Sequence, residues 1–324
     1  MSKIINWGVI GLGGIAHKFV SDLLTLPDAN LLVVSSTSAE RAAGFAAQYG
    51  AKHHTDSITD LLAINGLDVV YVAAEHVRHH AIVLQCLKAG VAVLGEKPFA
   101  MNGQQVAEMV AVAREKKVFL MEALWSRFMP VIQQAKQWSD EGKIGTIRAI
   151  HADFGFKATY LPEKRLFNKK LGGGALLDIG IYPIFLSYLF LGMPKGIAAV
   201  ANFADTGVDV STTMSFSYEN QATAALTCTL AAQTRCDGLI YGDAGEIHLS
   251  PRWHEATEVS LNTATEKTVS VFPRPSTHGY EFEAAHIHAC LRAKLTESPL
   301  WSLTDSTNLM SLLDAVRAEI GLVY

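Results

Sequence analysis

Short aliphatic runs alternate with amphipathic stretches over the first third of the chain. Residues 4–10, 31–35, 68–72, 91–94 and 118–121 are predominantly apolar, the pattern of strands buried on both faces. Between them, residues 17–26, 79–89 and 101–116 carry helical periodicity. Strands alternating with helices of this length predict a parallel, doubly wound sheet. Beyond Ala123 the texture changes. Eight strands are expected at residues 147–157, 196–203, 209–218, 222–230, 239–241, 246–249, 258–261 and 268–272. Their short spacing and the turns at Glu219-Asn220 and Asp243-Ala244-Gly245 predict a largely antiparallel open sheet. Helices at 130–140, 174–191, 278–295 and 303–319 would cover it. Two domains follow, residues 1–122 and 123–324.

Composition narrows the class. Hydrophobic residues at 49% and charged residues at 18% describe a globular chain able to bury a core. A net charge of −4 gives no electrostatic reason to expect nucleic acid or an anionic membrane as partner. No run is expected to supply the roughly 20 apolar residues that span a bilayer. The first strand starts without a leader pattern, from which a cytoplasmic location is expected. Cys86, Cys228, Cys236 and Cys290 have neither zinc nor disulfide spacing and read as buried thiols. No metal site is expected; His53-His54 and His80 read as surface loop, and His286 and His288 fall on different helix faces.

The chemistry begins after the first strand. Gly11-Leu12-Gly13-Gly14-Ile15-Ala16 sits between a strand and a helix, the context of a dinucleotide fingerprint. Gly11 allows the tight turn, Gly13 a close backbone approach to a pyrophosphate, and Ala16 close helix packing. Gly14 and Ile15 would open the helix whose N-terminal amides hold the pyrophosphate. The second strand ends in Ser36-Thr37-Ser38, with Arg41 following and no acidic residue in place. Small hydroxyl donors plus a guanidinium suit a ribose 2′-phosphate, so NADP is favoured, with NAD as the alternative.

Glu96-Lys97-Pro98 follows the run Val91-Ala92-Val93-Leu94 at the carboxyl end of a strand, where open parallel sheets bind ligands. In the second domain, Gly172-Gly173-Gly174 opens a helix bearing Asp178 and Tyr182. Four residues apart, these two point from one helix face, an acid and a phenol suited to holding and deprotonating an alcohol. Pro183 fits only near a helix start or a kink.

With these motifs the chain resembles the Gfo/Idh/MocA oxidoreductase family, over essentially its whole length. Segments 121–130 and 165–182 are most similar to the branch of dimeric trans-dihydrodiol and NADP-dependent D-xylose dehydrogenases. The resemblance implies a Rossmann domain followed by a substrate and oligomerisation domain. It implies an NAD(P)-dependent dehydrogenase acting on the CH–OH of a sugar, a polyol or a cyclic diol. Lys97, Asp178 and Tyr182 would be catalytic, with Lys97 or Tyr182 as the base. Glu96, Lys97, Ala74, His76, His79, Trp125 and Arg127 would join Gly11, Gly13, Gly14, Ile15, Ala16, Thr37, Ser38 and Arg41 around the cofactor. Lys97, Trp125, Phe154, Asp178 and Tyr182 would meet substrate, and the protein would be a homodimer. A nucleotide-binding regulator without turnover and an NAD-dependent glycosidase-like relative are the alternative readings.

Overall fold

The computed structural model describes residues 3–274 and 278–324. Two compact units emerge. The first comprises residues 1–128 and 274–307, the second residues 129–273 and 308–324.

In the first unit, six strands form one sheet: β1 (Ile5–Ile10), β2 (Ala29–Ser35), β3 (His53–Thr55), β4 (Val69–Val72), β5 (Ala92–Glu96) and β6 (Leu120–Ala123). Their order is β3-β2-β1-β4-β5-β6, and every pairing is parallel. This is the doubly wound order whose direction reverses between β1 and β4, which opens a crevice at the strand ends there. The residues explain it. All four positions of β4 and all five of β5 are buried, as strands covered on both faces must be. The connecting helices are α1 (Gly14–Leu23), α2 (Ala39–Tyr49), α3 (Ile58–Leu62), α4 (His79–Lys88) and α5 (Gly103–Lys116). Capping punctuates them: Ser38 and Asn102 each accept a first-turn amide through the side chain, from Arg41 and Gln105. His53 and His54, expected in a loop, instead form the edge strand β3 beside Val33 and Val34.

The second unit holds α6 (Pro130–Asp140) and an eight-stranded sheet. Its strands are β7 (Ile147–Gly155), β8 (Gly196–Phe203), β9 (Asp209–Ser217), β10 (Thr223–Thr229), β11 (Gly238–Gly242), β12 (Gly245–Leu249), β13 (Glu258–Thr263) and β14 (Lys267–Val271). The order is β14-β13-β12-β11-β7-β10-β9-β8, antiparallel except where β10 meets β7. Alternation sets its faces: Ala224, Leu226 and Cys228 of β10 point inward while Thr223 and Ala225 are exposed. Against this face packs α7 (Ile181–Leu191), buried from Ile181 through Ser187.

The expected single helix 174–191 is divided. A π-helical turn, Leu176–Gly180, precedes α7, and Pro183 lies in the first turn of α7. Proline has no N–H to return to the turn before it, so the junction falls where the α ladder cannot continue. The segment 169–191 does have the length and apolarity of a membrane span, contrary to the sequence expectation. It is mostly buried within the second unit, however, and is a core helix. The contiguous division at residue 122 also differs from the compact units. The chain returns to the first unit, where α8 (Glu281–Arg292) packs on α1 and on the turn Trp125–Phe128; the next boundary falls inside α9 (Leu303–Ile320). All four cysteines are buried and unpaired with each other.

Candidate active site

The glycine turn lies at the reversal point of the first sheet. Gly11 has φ +89°, and a Cβ there would come within 2.6 Å of the Ala73 carbonyl, so only glycine fits against β4. Gly13 is the N-cap of α1, and no side chain caps that helix. A Cβ on Gly13 or Gly14 would meet nothing within 4 Å. Bare backbone amides facing open space at the start of a ten-residue helix fit a diphosphate. Ala16 is fully buried beneath the turn, while Ile15 is partly exposed.

At the end of β2, the Arg41 guanidinium donates to Thr37 Oγ1 at 3.0 Å and the Arg41 amide to Ser38 Oγ at 3.3 Å. The three expected phosphate contacts are thus brought together at one strand end.

After β4 come Ala73 and Ala74, then a 3-10 turn, His76–Arg78, leading into α4. His76 is buried, and His79 is buried completely, with its ring nitrogens 2.9 Å from the Pro98 carbonyl and 3.0 Å from the Ala74 carbonyl. Glu96 is the last residue of β5 and also buried. Its Oε1 accepts the Tyr71 hydroxyl at 2.5 Å, and its Oε2 accepts the Lys97 amide at 3.0 Å. A hydrogen bond to each oxygen thus fixes the Glu96 side chain directly before Lys97. The Lys97–Pro98 peptide bond is cis. Burial, then the Glu96 charge, pushes the Tyr71 phenol up, and the same two causes push Glu283 up. Glu122 accepts the Phe99 amide at 3.1 Å, and burial carries its carboxyl up to about 7.

Trp125 and Arg127 are integrated into the first unit. The Trp125 ring packs on Tyr280 at 4.7 Å between centroids, and Arg127 donates Nε–H to the Leu300 carbonyl at 3.0 Å.

In the second unit, Gly174 N–H donates to the Leu166 carbonyl, and a Cβ on Gly173 would fall 2.4 Å from the Arg165 carbonyl. The glycines therefore let the loop of Arg165 lie on the helix entry. Arg165 Nη1 donates to Asp178 Oδ1 at 2.8 Å, and Asp178 is the more buried partner. Asp209 Oδ2 accepts the Leu176 amide at 2.7 Å and the Thr212 hydroxyl at 2.9 Å, fixing the start of the π turn. Burial pushes Asp209 up to about 6. The Tyr182 ring lies 5.3 Å from Phe154 and 5.6 Å from His254, and Phe154 stacks on His254 at 4.0 Å.

Phe154 and Tyr182 thus share one neighbourhood, while Asp178 lies in the π turn just before α7, where Arg165 holds it, rather than four residues along one α-helical face from Tyr182. Asp209 was not expected there. Arg165 had a local signal, a basic residue just before the glycine run. Asp209 had none, because it reaches Leu176 across 33 residues of chain. Among the described residues, no three His, Cys, Asp or Glu side chains converge as metal ligands.

Comparison with known proteins extends over the same residues. The family described as "Oxidoreductase family, NAD-binding Rossmann fold" matches residues 5–124, and the "GFO/IDH/MocA C-terminal domain" matches residues 132–248. A trans-1,2-dihydrobenzene-1,2-diol dehydrogenase of Xenopus tropicalis is 35% identical over 98% of this chain and 99% of its own. The human protein of that name is 33% identical over 99% and 98%. A 3-ketoreductase from Actinomadura kijaniata, solved with NADP and TDP-benzene, superposes with a TM-score of 0.86 at 28% identity, covering 98% of both chains. An aldose-aldose oxidoreductase from Caulobacter crescentus shares the fold, with a TM-score of 0.89 at 20% identity. The chain belongs to the Gfo/Idh/MocA family of oxidoreductases with an NAD-binding Rossmann domain.

Proposed function

We propose that this protein is an NADP-dependent dehydrogenase acting on a secondary or anomeric CH–OH of a sugar or a cyclic trans-diol. The observation that carries the reading is the Asp178–Tyr182 pair at the start of a buried helix. Asp178 is paired with Arg165, an arrangement that suits it to orient a hydroxyl. Tyr182 is then the group that takes the hydroxyl proton as the carbinol hydrogen leaves as hydride. The bound nicotinamide supplies the acceptor for that hydride. Lys97, which the family resemblance also makes catalytic, would supply positive charge at the end of β5 where the cofactor is expected. Product and reduced cofactor leave with one proton released, which balances the reaction.

Support for the cofactor comes from Arg41 and Thr37 at the end of β2 and from the relative solved with NADP. Support for the substrate class comes from the full-length relatives named dihydrodiol dehydrogenases. A cytoplasmic location, in keeping with four free thiols, belongs to the same proposal and is tested by cell fractionation.

Absorbance of the reduced nicotinamide, followed with pentoses, hexoses, inositols and trans-dihydrodiols, tests it with each cofactor in turn. Tyr182→Phe and Lys97→Met should each lower kcat by about 100-fold or more, the range of a lost acid–base group. Normal turnover in both variants would end the proposal. Arg41→Ala should raise KM for NADP roughly tenfold, the loss of one charge-assisted contact, and leave KM for NAD unchanged.

A further inference from the structure

α9 ends at Ile320, and Gly321 follows with φ +70°, where the Leu322 amide reaches back to the Arg317 carbonyl at 2.9 Å. Glycine in that left-handed position turns the chain back beyond a helix. The turn brings Tyr324 to the glycine run of the same compact unit. Its hydroxyl donates to the Gly173 carbonyl at 2.5 Å, and the Arg317 guanidinium lies 5.5 Å from its ring centroid. Gly172, Gly173 and Gly174 are all buried, so the accepting carbonyl has no solvent to turn to.

The bond acts on the peptide plane between Gly173 and Gly174. With glycine on both sides, side-chain sterics do little to orient that plane, and hydrogen bonds at its two ends set its direction. The Gly174 N–H donates to the Leu166 carbonyl at 2.9 Å, and the Gly173 carbonyl accepts from Tyr324. The first bond ties the plane to the residue after Arg165. The π turn that carries Asp178 starts at Leu176, two residues beyond the plane. A Cβ on Gly174 would fall 2.3 Å from Asp209 Oδ1 and 3.0 Å from the Tyr324 hydroxyl, so both side chains close on the same residue. Asp209 Oδ1 is buried without a hydrogen-bond partner, and a carboxylate oxygen cannot replace a donor to Gly173. Burial, then the Asp209 charge, pushes the Tyr324 phenol up, so the hydroxyl keeps its proton at ordinary assay pH.

We propose that Tyr324 is a positioning residue for the substrate side of the reaction: by holding the Gly173 carbonyl it fixes the peptide plane that joins the Arg165 loop to the π turn, and so sets where Asp178 stands. The role is exercised through backbone and needs no contact with substrate. A tyrosine that only packed would use its ring; this turn uses the hydroxyl. The consequence for turnover rests on the function proposed above, whereas the restraint on the turn does not.

Tyr324→Phe removes the hydroxyl and keeps the ring beside Arg317, while Tyr324→Leu removes both. Hydrogen exchange of the full chain, read by mass spectrometry on fragments covering residues 170–180, reports the restraint. In the unmodified protein these amides should be protected, and exchange at the rate of free backbone would overturn the proposal without any variant. Tyr324→Phe should speed exchange there about tenfold, the loss of one hydrogen bond, and leave fragments of the first sheet unchanged. In kinetics it should lower kcat/KM for the alcohol about tenfold or more while the cofactor Kd stays within about threefold, since small misplacement of a group that orients substrate costs rate. A Tyr324→Phe protein that matches the unmodified one, with loss only in Tyr324→Leu, would assign the residue to packing and overturn the proposal. A loss of kcat/KM mirrored in the cofactor Kd would overturn it too. If the unmodified protein turned over none of the alcohols, the proposed function would fall, and exchange would still decide the role of Tyr324 at the turn.

Discussion

At the scale of single residues, burial gives two groups of the first unit opposite pH dependences. The Glu122 carboxyl is pushed from its usual 4.5 to about 7, with burial the largest cause. Between those values the folded protein holds a proton that the unfolded chain has lost, so stability falls as pH rises through that window. A shift of this size corresponds to about 3 kcal/mol, and Glu122→Gln should flatten the denaturant-measured slope between pH 5 and 7 by that order. His288 behaves in reverse. The Trp7 indole donates to its Nε2 at 2.9 Å, so the ring hydrogen sits on Nδ1, which faces Asp28 at 3.0 Å. Burial holds His288 below its ordinary value. The unfolded chain therefore takes up a proton first, and stability is lost as pH falls below about 6.5. Tryptophan emission followed from pH 7.5 to 5 should change as Trp7 loses its partner, and a His288→Phe protein should lack that change. Neither residue was readable in the sequence in this sense. Glu122 is an unremarked acid there, and its Trp301 contact comes from 179 residues away.

At the scale of elements, the glycines of the first turn separate by role. Gly11→Ala places a Cβ against the Ala73 carbonyl at φ +89° and should lower Tm by several degrees. Gly13→Ala meets no atom within 4 Å and should fold with an unchanged Tm. It should nevertheless weaken NADP binding tenfold or more, because the added methyl fills the approach to the α1 amides. Equal behaviour of the two variants in calorimetry and titration would refute that distinction. The start of the π turn is the second such element. Asp209→Ala removes the acceptor for Leu176 N–H and the Thr212 hydroxyl and should cost about 1–3 kcal/mol. The strand–turn–helix order around Gly11 was legible because each part is encoded within a few residues. The division of helix 174–191 was legible only in part: Pro183 marked a helix start or a kink, but the anchor that fixes the preceding turn lies on β9.

At the scale of the whole molecule, the outward side of the second sheet carries apolar residues on both edge strands. Val200 is 72% exposed on β8 and Val269 60% on β14. These residues stand at opposite edges of the sheet, and we propose, as the family resemblance implies, a homodimer that covers one of those edges. Sedimentation equilibrium should return a dimer mass, reduced toward the monomer by Val200→Lys. A monomeric unmodified protein would remove the proposal.

What the sequence determined by itself is what local chemistry encodes: the alternation of buried strands and helices, the glycine turn, Glu96-Lys97-Pro98, and the acid and phenol of the second unit. These follow from periodicity, φ preference and spacing over a few residues and sufficed for the fold class; the family came from the resemblance that the motifs carry. Tertiary structure decided how those groups are held. It returned α8 to the first unit, set Arg165 on Asp178, and gave both nitrogens of His79 to backbone carbonyls. Hydrogen-bond partners, and the burial that shifts a carboxyl by whole pH units, come from segments far apart along the chain. Only the folded arrangement brings them within reach.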